Sequence, residues 1–260
     1  MFLHTFDPFA IQFTENFGIR WYGLAYLAGF LLGYLFVIRL SKLKRSPIPI
    51  TKVGDFIFAM VLSVLLGGRL GYCLFYRPEL FFDFSSTIPF WGVLAIHEGG
   101  MASHGGVIGF IAGCILFGRK HKYPIGHLFD LTLVGIFLGV FFGRIANFIN
   151  GELYGRITNV PWAVKFPGAD GFRHPSQLYE AAKNLIIFTV LWFIRNKSFP
   201  KGFLFGTFIC MYSALRFFIE FFREADIQVG YIYGLTLGQV LNMVMFVIGI
   251  SFIYRIRGRK

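Results

Sequence analysis

Charged residues are scarce in this sequence. Only 15% of its 260 residues are Asp, Glu, Lys or Arg, whereas soluble domains carry about 25%. The hydrophobic share is 56%, with 35 phenylalanines and a mean hydropathy of +0.64. This composition excludes an ordinary soluble protein. It predicts an all-α, polytopic membrane protein that forms a single membrane domain over residues 1–260.

Cysteines are few, and none lies in a polar setting. Cys73, Cys114 and Cys210 all fall within apolar runs, and no Cys-x-x-Cys spacing occurs. This pattern argues against a disulfide framework or a cysteine metal site. We interpret the three residues as small buried hydrophobic groups. A Gly-x-Ser-x-Gly nucleophile motif and a nucleotide-binding loop are also absent from the sequence.

Long apolar runs are abundant. A helix needs about 20 mainly apolar residues to cross a bilayer. Seven segments meet or approach this length: Trp21–Ile38, Phe56–Phe75, Trp91–Phe117, Leu128–Ile149, Ala181–Ile194, Phe203–Phe222 and Tyr233–Tyr254. A Gly-rich polar stretch interrupts the third, so only Val107–Phe117 is predicted as regular helix there. The fifth is short, and we expect it to begin earlier or to tilt.

The uneven placement of charge predicts the orientation. The chain has 25 basic and 13 acidic residues, and 15 of the basic residues follow the first, third, fifth and seventh apolar runs, where Asp55 is the only acidic residue. These are Arg39, Lys42, Lys44, Arg45, Lys52, Arg119, Lys120, Lys122, Arg195, Lys197, Lys201, Arg255, Arg257, Arg259 and Lys260. The other connections carry Asp7, Glu15, Glu79, Asp83, Asp170, Glu224 and Asp226.

Basic loops remain in the cytoplasm. We therefore expect the N-terminus outside, the C-terminus in the cytoplasm and an irregular outer segment over about residues 150–180. The net charge of +12 is then a topology signal, and nucleic-acid binding is excluded. Glycines four residues apart predict close helix packing in lipid; they are Gly135, Gly139, Gly143, Gly67 and Gly71.

The fourth apolar run ends in polar residues. Between Gly143 and Arg156 stand Arg144, Asn147, Asn150 and Glu152. An unpaired arginine in an apolar helix costs about 2.5–3.5 kcal/mol. If the helix continues, Arg144, Asn147 and Gly151 share one face. Arg144 is therefore either a structural arginine that reaches the interface or a functional group, and this stretch alone leaves both interpretations open.

A second polar stripe runs along the sixth apolar segment. Tyr212, Arg216, Glu220 and Arg223 follow one another at intervals of 4, 4 and 3 residues. Arg216 and Glu220 can pair at this spacing, either to stabilise a helix bundle or to build a site. Two arginines accompany one carboxylate, and Arg144 adds a third. This cationic surplus suits a phosphate group, which arginine binds in a bidentate manner.

Two further motifs contain histidine. In Ser103-His104-Gly105-Gly106, His104 would be a base near neutral pH at a helix start capped by Ser103. A histidine bonded to the backbone is the alternative. A metal site is disfavoured because His97 and His104 lack nearby ligands. His174–Glu180 places Ser176 as a helix cap, and capping is a sufficient explanation of that motif. Arg69 and Tyr22 complete the buried polar set.

Together these motifs resemble the bacterial phosphatidylglycerol–prolipoprotein diacylglyceryl transferases. The similar segments occur in family order between residues 21 and 223. They are Trp21-Tyr22-Gly23, Ser103-His104-Gly105-Gly106, Gly143–Gly155, His174–Glu180 and Arg216–Arg223. The stretch at 143–155 and the second arginine motif are the specific ones.

The resemblance implies an enzyme of the bacterial cytoplasmic (inner) membrane, with its active site towards the outer leaflet. It would move the diacylglyceryl group of phosphatidylglycerol to the lipobox cysteine of a prolipoprotein signal peptide, form a thioether and release glycerol phosphate. Its partners would be these substrates and membrane lipids, without a cofactor or metal.

The resemblance also implies roles. His104 would take the thiol proton, Arg144 and Arg216 would hold the phosphate, and Glu220 would orient Arg216. The headgroup pocket would be formed by Tyr22, Asn147, Asn150, Glu152, Gly155, Tyr212 and Arg223. Whether the base is His104, Glu152 or neither stays open. A transporter is the main rival, weakened by the lack of an internal repeat; a structural scaffold does not account for the arginine surplus.

Overall fold

The computed structural model describes residues 1–14, 17–43, 45–86, 88–96, 99–224, 231–232 and 234–258. Within these ranges it has seven α-helices: α1 Trp21–Lys42, α2 Ile50–Phe75, α3 Ser103–His121, α4 Ile125–Ile149, α5 Ser176–Ile194, α6 Phe203–Ile219 and α7 Leu237–Arg257. Several residues used for the predictions lie outside the described ranges: Glu15, Lys44, His97, Glu98, Asp226, Tyr233, Arg259 and Lys260.

Among the described residues, five helices are long and apolar enough to cross a membrane: α1, α2, α4, α7, and α6 with the turn that follows it. This confirms a mainly helical, multi-pass membrane protein. Helices α3 and α5 do not belong to this group, because basic residues end α3 and the first turns of α5 contain Glu180 and Lys183. Their spanning, the orientation and the single membrane domain stay predictions.

The helix starts differ from several expectations. Helix α5 begins at Ser176, which confirms the expectation that it starts before Ala181. The caps assigned to Ser103 and Ser176 were wrong, because these residues are already helical and follow Ala102 and Pro175. The Val107–Phe117 limits were also wrong, since α3 begins at Ser103 and ends at His121.

Short strands form pairs in the described part of the chain, and one of these pairs joins segments that are distant in sequence. They are β1 Phe2–Leu3, β2 Phe9–Thr14, β3 Phe17–Arg20, β4 Val164–Lys165, β5 Tyr231–Ile232 and β6 Leu235–Thr236. β1 pairs in parallel with β4, while β2–β3 and β5–β6 are antiparallel pairs. Residues 150–175 contain no helix in this described stretch, whereas residues 176–180 of the segment predicted to be irregular belong to α5. Strand β1, near the N-terminus, pairs with β4 and thereby attaches residues 150–175 to the start of the chain.

The chain forms two compact units. The first contains Met1–Phe36 and Asp130–Lys260. In it, α4, α5 and α6 pack around a core cluster of Leu133, Phe137, Ile187 and Leu191. Helix α7 packs on α6 at Gly206 and Gly249, and α1 meets α4 where Gly29 faces Gly139.

The second unit, Val37–Phe129, is organised by close packing of α2 on α3. A side chain added at Gly67 would overlap the backbone of Gly105 and Gly109, and one at Gly71 would press on Gly105. The predicted close packing is therefore confirmed for Gly67, Gly71 and Gly139. It was wrong for Gly143, which has nothing within 4 Å of an added Cβ. The surroundings of Gly135 lie outside the described part.

Candidate functional site

The polar stripe on α6 is present in the first unit. It continues through a 3-10 turn, Glu220–Phe222, directly after the helix. Nη1 of Arg216 donates a charge-assisted hydrogen bond to Oε2 of Glu220, and Nε of Arg223 lies 3.8 Å from the same oxygen. The predicted Arg216–Glu220 pair is therefore confirmed.

Helix α5 adds two charged residues to this stripe. The Glu180 side chain is 1% exposed, and its Oε1 lies 3.0 Å from Nε of Arg216. Its Oε2 accepts from Nζ of Lys183 at 2.6 Å. Lys183 Nζ lies 3.8 Å from the ring centre of Tyr212. The sequence interpretation placed Glu180 only in a helix start and missed Lys183. Their i, i+3 spacing in an apolar helix was the available signal.

Glu220 is held by α7 as well as by α6. Thr236 Oγ1 donates to Oε1 of Glu220 at 3.3 Å. Thr236 also begins α7 in a capping box with Gln239, which explains why α7 starts at Leu237 and not near Tyr233. Gly238 lets this turn approach, because a Cβ there would overlap the Glu220 carboxylate.

Arg144 differs from the other cations in its partners. It lies half-buried in the last turns of α4 and is close enough to interact electrostatically with Glu180 and Arg223. Within the part of the chain that the structure describes, its guanidinium has no hydrogen bond or ion pair. The cluster thus has four cations, Arg144, Lys183, Arg216 and Arg223, and two carboxylates, Glu180 and Glu220. Two positive charges remain in surplus.

The chain bends sharply after α4. Gly151 and Leu153 have positive φ values of 69° and 59°. The expected common face of Arg144, Asn147 and Gly151 was therefore wrong for Gly151, because α4 ends at Ile149.

Side chains on both sides hold this bend. Nδ2 of Asn147 and Nδ2 of Asn150 donate to Oε1 of Glu152 at 2.7 and 3.3 Å. From the start of α5, Gln177 donates to the Glu152 carbonyl at 2.6 Å and Ser176 to the Leu153 carbonyl at 3.0 Å. Ser176 and Gln177 thus connect the loop to α5 in place of capping the helix.

Gly155 lies where this loop crosses the end of the α6 stripe. Its N–H donates to the His174 carbonyl at 2.9 Å, and it forms a bridge with Arg223. A Cβ at Gly155 would overlap the Phe222 carbonyl oxygen and contact His174. Close backbone approach therefore requires glycine here. Arg156, next in the chain, donates through Nε to the Arg223 carbonyl.

His174 takes part in a separate polar contact at the edge of the loop. Its Nδ1 lies 3.0 Å from Tyr179 Oη, and Trp162 Nε1 donates to that oxygen at 2.7 Å. Partial burial lowers the pKa of His174. The His174–Glu180 motif therefore serves three separate contacts, of which only Glu180 joins the charged cluster.

His104 belongs to the second unit, where its side chain is exposed in the first turn of α3. The start of α3 is tied to α2, since Ala102 N–H donates to the Gly68 carbonyl at 2.9 Å. Arg69, 4% exposed, donates to the carbonyls of Gly92, Val93, Gly99 and Gly100.

The predicted site set also includes Tyr22 and contains no metal ligands. Tyr22 is half-buried in the first turn of α1. Within the described ranges, no group of three or more His, Cys, Asp or Glu could hold a metal ion. The roles assigned to the site residues stay predictions.

Known proteins resemble this chain over nearly its whole length. The family described as prolipoprotein diacylglyceryl transferase matches residues 8–255. A phosphatidylglycerol–prolipoprotein diacylglyceryl transferase from Bdellovibrio bacteriovorus is 38% identical, covering 95% of this chain and 92% of the relative. The protein of that name from Sinorhizobium medicae is 46% identical, covering 92% and 88%. The one from Geobacter sulfurreducens is 40% identical, covering 93% and 92%.

Proposed function

Because the chain belongs to the prolipoprotein diacylglyceryl transferase family, we propose that it transfers the diacylglyceryl group of phosphatidylglycerol to the lipobox cysteine of prolipoproteins. The thiol loses its proton, and the sulfur forms a bond to the glycerol carbon of the diacylglyceryl group. The bond from that carbon to the phosphate oxygen breaks, and its electron pair leaves with glycerol phosphate. The product is a thioether, made in the first step of lipoprotein maturation.

The observation that carries this proposal is the guanidinium of Arg144, which has no hydrogen bond or ion pair among the described residues and lies beside a cluster with surplus positive charge. A phosphodiester carries one negative charge, and the leaving phosphate gains another as its bond to carbon breaks. Fixed cations stabilise such developing charge. Arginine also matches the geometry of phosphate oxygens.

The remaining groups have roles in this reaction. Arg144 and Arg216 hold its oxygens, and Glu220 orients Arg216, as their ion pair and the contact to Thr236 support. His104 takes the thiol proton. The headgroup pocket is lined by Tyr22, Asn147, Asn150, Glu152, Gly155, Tyr212 and Arg223. Glu152 positions the bend after α4, which its two amide contacts support over a role as base.

The protein crosses the bacterial cytoplasmic membrane seven times, with α3 and α5 as the two shorter spans. Its N-terminus lies outside and its C-terminus in the cytoplasm. The charged cluster lies at the end of α4, the start of α5 and the end of α6, whereas Lys197 and Lys201 lie at the opposite ends of α5 and α6. Basic residues favour the cytoplasmic side, so the cluster faces the outer leaflet. A C-terminal reporter active only in the cytoplasm tests this orientation.

Purified protein in lipid nanodiscs with phosphatidylglycerol and a lipobox peptide provides the activity test. We expect thioether product without any ion gradient, and a decrease in kcat/KM of about 100-fold or more in Arg144→Ala. Arg77→Ala is the matched control, because Arg77 is exposed and pairs with exposed Glu79. Near-normal rates in Arg144→Ala would remove this arginine from the mechanism. A wild-type protein that forms no product but moves a solute along a gradient would favour the transporter.

A further inference from the structure

Helix α5 buries a lysine in the first unit. Lys183 is 2% exposed, and a buried ammonium is costly unless it is paired. Its two neighbours are the Glu180 carboxylate at 2.6 Å and the face of the Tyr212 ring at 3.8 Å from the ring centre. An ammonium group makes both kinds of contact. Lys183 is therefore counted among the cations of the cluster that surrounds Arg216.

We infer that Lys183 is a positioning residue that prevents Glu180 from cancelling the charge of Arg216, and that it thereby sets the affinity for the anionic lipid donor. This inference rests on the proposed function and extends it. Lys183 acts through Glu180, whose two oxygens are shared between Lys183 and Arg216.

The arrangement of charges explains why such a residue is needed. Arg216 lies between two carboxylates, Glu180 on α5 and Glu220 on the turn after α6. These three groups alone carry a net charge of minus one, which would repel a phosphate. Each carboxylate has a second cation beside it. Lys183 contacts the other oxygen of Glu180, and Arg223 lies 3.8 Å from the Glu220 oxygen that Arg216 contacts. The five groups together are then net positive.

Two different nitrogens of Arg216 contact the two carboxylates. Its Nε lies 3.0 Å from Glu180, and its Nη1 donates to Glu220. The two carboxylates thus orient the guanidinium, and the second cations compensate for their negative charge. Orientation depends on Glu180, whereas the charge balance depends on Lys183.

Lys183→Met tests the effect of the lysine charge. Methionine removes the ammonium group and replaces the methylene chain of lysine with an apolar chain of similar length. The remaining Glu180 stays paired with Arg216, so a buried unpaired charge is avoided. We expect the KM for phosphatidylglycerol to rise about tenfold, corresponding to about 1.4 kcal/mol, with kcat within about threefold of wild type. A purely structural defect would instead lower kcat and the midpoint of thermal unfolding together.

The double variant Glu180→Gln/Lys183→Met should rescue the KM for phosphatidylglycerol. It restores the net charge of the cluster, and it keeps an uncharged polar side chain beside Nε of Arg216, which lies 3.0 Å from Oε1 of Glu180 in the wild type. We expect its KM to return to within about threefold of wild type, although two buried side chains are changed. A loss of packing alone would not restore the KM in the double variant, because its cause would not be the charge of the cluster. A KM unchanged in Lys183→Met, or a double variant worse than the single one, would overturn the inference.

Direct lipid binding separates this inference from the proposed reaction. Affinity for phosphatidylglycerol relative to zwitterionic phosphatidylcholine is measured in nanodiscs without acceptor peptide. The preference for the anionic lipid should decrease about tenfold in Lys183→Met and recover in the double variant. If wild type binds the anionic lipid with this pattern but forms no thioether, the proposed reaction is wrong and the role of Lys183 stands. If wild type forms product and the preference is the same in all three proteins, the role of Lys183 is wrong.

Discussion

Asn147 and Glu152 are joined across the end of α4 by a hydrogen bond of 2.7 Å from Nδ2 to Oε1. Asn150 donates to the same oxygen at 3.3 Å. A carboxylate oxygen that accepts from two amides is oriented by them. This relationship assigns Glu152 to the shape of the bend that carries the chain from Asn147 to Gly155.

The first prediction concerns Glu152→Gln. Glutamine keeps an acceptor oxygen for Asn147, so we expect thioether formation within about threefold of wild type. Glu152→Ala removes the acceptor and leaves the Asn147 amide without a partner, so we expect a loss of about tenfold. Rates measured from pH 6 to 9 check both variants. A loss of more than about 100-fold in a folded Glu152→Gln protein would identify the carboxylate as the base.

The second prediction concerns Gly155→Ala. The added methyl group would overlap the Phe222 carbonyl and press on His174, and the backbone bridge to Arg223 would separate. We expect loss of activity and a destabilisation of about 1–3 kcal/mol.

Gly143→Ala is the matched control for this substitution, since an added Cβ meets nothing within 4 Å there. Alanine also favours a helix over glycine by about 1 kcal/mol. Thermal unfolding in detergent and the activity assay compare the two variants. Equal behaviour of both would contradict the close backbone approach at Gly155.

The third prediction concerns Arg69, which donates to four backbone carbonyls ahead of α3. Arg69→Gln leaves most of these buried oxygens without donors, so we expect destabilisation of about 2–4 kcal/mol in the second unit. Cys73 is fully buried nearby on α2. In a protein whose other free thiols, Cys114 and Cys210, are replaced by alanine, a thiol-reactive dye reports its exposure on heating. The exposed Arg77→Gln should leave the dye midpoint unchanged. An unshifted midpoint in Arg69→Gln would show that the carbonyl contacts add no stability.

The fourth prediction concerns pH. Burial lowers the pKa of His174 below its ordinary value of 6.5. The neutral form is therefore favoured in the folded state, and its stabilising effect is complete above pH 6.5. It is lost as the pH falls through the lowered folded value.

Unfolding midpoints of wild type and His174→Asn between pH 5 and 8 check this dependence. Asparagine offers Tyr179 an acceptor near the position of Nδ1 but does not titrate. We expect the wild-type curve to fall more steeply than the variant curve below pH 6.5. Parallel curves over the whole range would show that His174 does not couple folding to pH.

The sequence by itself determined the class of this protein and most of its helices. Lipid offers the backbone no hydrogen-bond partners, so long apolar runs must become helices. Arg144, Arg216 and Glu220 stood out for the same reason, because polar groups are costly there. The Arg216–Glu220 pair followed directly, since residues four apart on one helix are neighbours.

Only the tertiary structure decided which helices share these charges. Glu180 and Arg216 are 36 positions apart and meet because α5 and α6 pack together, a relation that helical periodicity does not encode. The pairing of Phe2 with Val164 also depends on the tertiary structure. The start of α5 was likewise not predicted correctly, because Pro175 and not Ser176 precedes the helix. Local patterns set the form of each helix. The contacts between helices depend on how whole side-chain surfaces fit, which no single stretch of sequence contains.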